Sequence, residues 1–315
     1  MKAKGIFAVV LLIGVVFLWF FSTATQDAYV VSPEGVVHYP QERGPVSYSR
    51  VLLSQDDYGT VYKLTFDSQG TTVFALLRLP IEQPESKQAR PAIVLLPGAL
   101  VPKENEDVSL GRELASLGFA VLILDVRGVG ETGGALSSTD ADFAVFREKK
   151  QPSQHLMFYD ALRAFDVLMA TPEVNASRIL FAGESNGGRT AIIAAALEKR
   201  SLGVLGISTA GYYFAQQQNA DVNRFLKSIN PDIYAPLISP ARFVLINSKN
   251  DPAIPIDGAK ATFALAEEPK LFFEVSCEKH GYCSEMNPAI ENALEFITKG
   301  PLGQVAEKPA FKLPI

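Results

Sequence analysis

Six short runs constrain the fold of this chain more than any other feature: Ala92–Leu96, Ala120–Asp125, Ile179–Ala182, Val204–Ile207, Phe243–Ile246 and Leu271–Val275. Apart from Asp125 and Glu274, successive positions in each are apolar instead of alternating with polar ones. A strand of that kind must be covered on both faces, which is the condition of a parallel sheet sandwiched between helices. Helical periodicity falls between the runs, at about 108–117, 156–170, 187–198, 258–266 and 288–298. In 156–170 the residues Phe158, Leu162, Phe165 and Met169 fall on one side. This alternation predicts an α/β domain with helices on both faces of a mostly parallel sheet, joined by right-handed crossovers. Ahead of it, Val51–Ser54, Val61–Phe66 and Thr72–Leu79, with the turn Asp67–Gly70, read as an antiparallel N-terminal hairpin.

The domain predicted on this pattern spans residues 47–300. Residues 212–240 form the one long excursion between late strands and are expected to make a small lid, and 131–155 reads as a loop. Lys2 and Lys4 precede an uncharged stretch, Gly5–Gln26, whose core Ile6–Phe21 is 16 residues long. That length lies between a cleavable h-region of about 7–15 residues and a spanning helix of about 17–25. Ser22–Thr25 offers a weak cleavage site, while Trp19 suits an interfacial anchor. Residues 1–26 are therefore expected to be a signal or membrane anchor. The domain then lies outside the cytoplasm, or is secreted if the segment is cleaved. Residues 27–46, with Pro33, Pro40 and Pro45, read as a tether, and 301–315 as a C-terminal tail.

Net charge is -5, with no basic run beyond Lys149–Lys150 and Lys199–Arg200, which argues against a nucleic-acid partner. Two cysteines are too few for a disulfide scaffold or a four-ligand zinc site, and three histidines disfavour a His-rich metal centre. No metal or organic cofactor is expected.

The strongest chemical signal is Gly183-Glu184-Ser185-Asn186-Gly187-Gly188, which follows the run Ile179–Ala182 and opens a helix of small residues. It matches G-x-S-x-G in the strand–turn–helix setting the motif requires. A serine hydroxyl is a weak nucleophile, so it has to be held out on a tight turn, in reach of a base and beside amides that favour negative charge. On such a scaffold the acid and the base follow in the order Ser, acid, His. Asp251 lies just beyond the run ending at Ile246, and His280 just beyond the run ending at Val275. Asp257 and Glu278 compete with Asp251 for the role of acid, whereas His280 is the one histidine after the serine. A tetrahedral intermediate also needs amide donors, worth roughly 3–4 kcal/mol each in the best-measured case. The N–H groups of Asn186 and of Ala99, after the run ending at Leu96, are the candidates.

Together, Leu95-Leu-Pro-Gly-Ala99, Asp125-Val-Arg-Gly-Val-Gly-Glu-Thr132, Gly183–Gly188, Asn250-Asp-Pro-Ala-Ile-Pro255 and His280-Gly281 resemble the serine α/β-hydrolase superfamily over about residues 48–298. The resemblance is nearest to dienelactone-hydrolase-like and acetyl-xylan-esterase-like enzymes. It implies an α/β-hydrolase fold, with Ser185 as nucleophile, Asp251 as acid and His280 as base, acting on a small-molecule ester through an acyl-enzyme. A serine peptidase or acyltransferase with the same triad, or a non-catalytic binding domain, remains as an alternative. Gly128–Gly133 formally matches a dinucleotide fingerprint, but loop-like sequence follows where that motif needs a helix, so it reads as a decoy. Cys277 and Cys283 bracket His280. Outside the cytoplasm they are placed to close a disulfide loop, the alternatives being a three-ligand metal site or free thiols.

Overall fold

The computed structural model describes residues 29–40, 42–81 and 89–299. The strands, in chain order, are β1 (Val30–Val31), β2 (Val37–His38), β3 (Tyr48–Asp56), β4 (Gly59–Ser68), β5 (Thr71–Leu79), β6 (Arg90–Leu96), β7 (Ala120–Leu124), β8 (Val174–Glu184), β9 (Gly203–Ile207), β10 (Arg242–Ser248) and β11 (Lys270–Val275). Among the described residues β1 and β2 pair separately, and the other nine form one sheet in the order β11-β10-β9-β8-β6-β7-β5-β4-β3. The six runs apolar on both faces are β6 to β11, and all of them pair in parallel. The predicted hairpin is a three-stranded antiparallel meander, β3-β4-β5, and β5 continues antiparallel onto β7. The fold is that of the α/β hydrolases.

The helices are α1 (Lys103–Glu106), α2 (Arg112–Ser116), α3 (Thr139–Arg147), α4 (Ser153–Met169), α5 (Asn186–Leu197), α6 (Ala220–Ser228), α7 (Pro231–Tyr234), α8 (Ile256–Leu265) and α9 (Asn287–Thr298). β6 shows why its sequence could not alternate. Ala92, Val94 and Leu96 pack with Phe158, Leu162 and Phe165 of α4 and Ile192 of α5 on one face. Ile93 and Leu95 pack with Leu114 of α2 and Ile290 and Leu294 of α9 on the other. Both faces are core, so both must be apolar.

Three sequence readings are corrected. The stretch taken as a tether is docked: Val37 is fully buried, Tyr39 nearly so, and the Arg43 side chain lies between Asp166 and Glu198. Its prolines and polar residues give no local periodicity, and the contacts that hold it are more than 100 residues away in sequence. The loop read at 131–155 contains α3, whose start is capped by the Ser138 hydroxyl accepting the Ala141 N–H. The helix read at 108–117 begins earlier, at Lys103, and passes through a π-helical turn at Asp107–Gly111. The excursion at 212–240 carries α6 and α7, which rest against α3 and α5 respectively. Among the described residues no helix is long and apolar enough to cross a membrane. The expected anchor at 1–26 and the tail at 301–315 lie outside the described residues.

Candidate active site

The sheet order reverses around β6, with β7 on one side and β8 on the other, so the chain leaves the carboxyl ends of β6 and β8 on opposite courses. Crevices of this kind are where open α/β sheets collect their ligands. Both the Ala99 loop and Ser185 emerge there. Ser185 itself has φ 54° and ψ -117°, left-handed territory for a residue with a Cβ. That strain is held by its neighbours. The Ser185 N–H donates to the Ile207 carbonyl at 2.9 Å, and the Ser185 carbonyl accepts the Thr209 hydroxyl at 2.8 Å. The turn also needs its flanking glycines. A Cβ on Gly183 would overlap the Gly187 carbonyl, and one on Gly187 would overlap the Leu96 carbonyl.

The three residues expected to act together meet. His280 Nε2 lies 2.7 Å from Ser185 Oγ, and His280 Nδ1 lies 2.9 and 3.0 Å from the two carboxylate oxygens of Asp251. The Asp251 side chain is fully buried, and its Oδ1 also accepts the N–H groups of Ala253 and Ile254 at 2.8 and 2.9 Å. Those amides hold the carboxylate in place against the imidazole. The rivals for the acid are elsewhere: Asp257 is exposed in the first turn of α8, and Glu278 accepts from the Asn250 side chain.

Asn186 is the first residue of α5, so its N–H belongs to the helix-start donors that have no intrahelical acceptor. Its side-chain Oδ1 accepts the Tyr212 hydroxyl at 3.0 Å. Ala99 sits at the exposed tip of a turn closed by the Val101 N–H on the Gly98 carbonyl. Lys103 braces that loop from below. Its backbone N–H and Nζ both donate to the buried Asp125, at 2.9 and 2.6 Å, and Nζ also reaches Glu131. Burial works against the ammonium charge, but the hydrogen bonds to Asp125, Glu104 and Glu131 hold its pKa above the ordinary lysine value. The glycines of the decoy fingerprint follow Asp125 in this braced turn, and the next helix, α3, starts only at Thr139.

Cys277 and Cys283 are disulfide-bonded across the loop that carries His280. The Glu285 carboxylate lies beside their sulfurs, but with both thiols consumed in the disulfide the group offers no thiolate ligand for a metal ion. His280 does not join that set, because both its ring nitrogens face Asp251 and Ser185. Sequence reasoning passed over two residues here. Tyr212 belongs to no motif of the sequence, although its hydroxyl bonds the Asn186 side chain. Glu184 was read only as a motif filler, although its carboxylate accepts the Tyr282 N–H at 2.8 Å. The position of Glu184 beside the serine was the available signal.

The sequence profile of the acetyl xylan esterase (AXE1) family matches residues 50–226. The chain belongs to that family, a class of carboxylic ester hydrolases. The match takes in Ser185 and ends before Asp251 and His280. Among solved structures, the acetyl xylan esterase from Paenibacillus sp. R4 is 21% identical, with TM-score 0.67 over 81% of this chain and 90% of that one. Acetyl xylan esterase 1 from Thermoanaerobacterium sp. JW/SL YS485 is 17% identical, with TM-score 0.65 over 81% and 89%. At these identities the likeness is one of fold. The uncharacterized protein YfhR of Escherichia coli O157:H7 is 27% identical over 167 residues, and the match spans about half the length of each chain (51% and 53%).

Proposed function

We propose that this carboxylic ester hydrolase works through an acyl-enzyme on Ser185, with His280 as general base and Asp251 as its orienting acid. The observation that carries the reading is the continuous hydrogen-bonded chain from Ser185 Oγ through His280 to the buried Asp251. In the first half-reaction His280 Nε2 takes the Ser185 proton as Oγ attacks the ester carbonyl carbon. Asp251 stabilises the imidazolium that forms. The tetrahedral oxyanion is received by the N–H groups of Asn186 and Ala99, and the alcohol leaves with the proton returned by His280. Water, deprotonated by the same imidazole, then attacks the acyl-serine and releases the acid.

The substrate we propose is a small-acyl ester of a carbohydrate, supported by the family to which the chain belongs. The test is hydrolysis of p-nitrophenyl acetate and of an acetylated xylan. Ser185→Ala is expected to lower kcat by up to about 10⁶-fold and to abolish fluorophosphonate labelling. Undiminished turnover in that variant rejects the assignment of Ser185.

A further inference from the structure

One side chain outside the three proposed catalytic residues adjoins the nucleophile, the His280 loop and the Ala99 turn. Glu184 is the last residue of β8 and is covalently joined to Ser185. Its Oε2 accepts the Tyr282 N–H at 2.8 Å, two residues beyond His280. Its Oε1 lies under Gly98, 3.7 Å from where a Cβ on that residue would sit, and so against the turn that presents Ala99. Gly281, between His280 and Tyr282, has φ 88°, and a Cβ there would come within 2.5 Å of Glu184 Oε1. The loop backbone therefore lies directly on the carboxylate.

Glu106 lies nearby with its Oε1 buried and without a hydrogen-bond partner, and burial together with the Glu184 charge pushes its carboxyl well above the ordinary range. Among the described residues, the Tyr282 N–H is the hydrogen-bond donor to the Glu184 carboxylate. With the Ser208 hydroxyl donating to the Gly281 carbonyl at 3.2 Å, the backbone just after His280 is held at one carbonyl and one N–H. Asp251 fixes the imidazole from the other side.

We infer that Glu184 is a positioning residue that ties the His280 loop, and with it the Ala99 turn, to the strand carrying Ser185. This rests on the proposed roles of Ser185 and His280. Losing the strut leaves the reacting groups present but out of register, and displacements near 1 Å cost about 10²-fold in rate.

The test compares Glu184→Ala with Glu184→Gln on p-nitrophenyl acetate, alongside the rate of fluorophosphonate labelling at Ser185. The alanine variant is expected to lose about 10- to 100-fold in kcat with KM within about threefold of wild type, and labelling should slow by a similar factor. Glutamine keeps a carbonyl oxygen for the Tyr282 N–H and is expected to retain at least about a third of wild-type kcat. The inference is overturned by wild-type kcat in the alanine variant, by an effect confined to KM, or by a glutamine variant as impaired as alanine. Should alanine prevent folding, Glu184→Asp takes its place; a several-fold loss of kcat is then required, and wild-type kcat overturns the inference. Ser185→Ala separates the two levels. If that variant is inactive and Glu184→Ala is not impaired, only the positioning role fails, whereas an active Ser185→Ala removes the reading on which it rests.

Discussion

His280 and His155 are the same side chain in two opposed settings. His280 sits at the carboxyl rim of the sheet with a 30% exposed side chain, and both its ring nitrogens face oxygen atoms of Asp251 and Ser185. His155 is fully buried in α4 among the rings of Tyr29, Phe146, Phe158 and Phe225. Its Nε2 meets the Ser228 hydroxyl at 2.8 Å, and its Nδ1 has no partner. Burial pushes the His155 pKa down to about 3, so the ring stays neutral and serves packing. The lesson is that an imidazole becomes a proton carrier when a carboxylate waits on one nitrogen and a hydroxyl on the other. Aromatic burial alone disarms it.

The comparison breaks most sharply at the rim. His280→Ala is expected to lower kcat by about 10⁶-fold, close to the effect of losing the serine, because the two act as a unit. Equal activity in the variant, measured by steady-state ester hydrolysis, would remove the base. Asp251→Asn comes next, at about 10⁴-fold in kcat, since the hydrogen bond can persist while the carboxylate charge that favours the imidazolium is gone.

His155→Leu, by contrast, should leave kcat within about threefold while changing the acid dependence of stability. The folded pKa is depressed to about 3 from an ordinary 6.5. Between those values the unfolded chain binds a proton that the folded chain refuses, so wild-type stability is lost as pH falls through that window. Thermal melts across the window should show a shallower decline in the variant. The smallest effect concerns Glu106, whose carboxyl is raised from 4.5 to about 8 by burial and by Glu184. Here the folded chain keeps a proton that the unfolded chain releases, so stability falls as pH rises from about 4.5 to about 8. Glu106→Gln should remove that slope, and melts should place its Tm above wild type at the alkaline end of the window and near it at the acid end.

What the sequence disclosed depended on how local the determining contacts are. Ser185 was legible because its strand, turn and helix are contiguous, and the glycines that let the turn close lie within three residues of it. Asp251 and His280 were legible from their order and their places after strands, although the choice of Asp251 over Asp257 and Glu278 needed coordinates. The docking of Arg43 against Asp166 and Glu198 was not legible, because the partners that bury its charge lie over 100 residues away. The same applies to Glu184, whose meaning depends on the Tyr282 amide 98 residues later. α3 escaped for a different reason: it is short and follows a glycine-rich turn, so its Ser138 cap was the clearest local signal.

The account turns on a covalent intermediate at one oxygen atom. Rapid quenching of the wild-type protein with p-nitrophenyl acetate, followed by peptide mass spectrometry, tests this directly. The predicted result is an acetyl group on the peptide containing Ser185, formed during a burst of p-nitrophenol and absent from Ser185→Ala. Steady release of p-nitrophenol with no acylated peptide, or with the acetyl group on another residue, would contradict it.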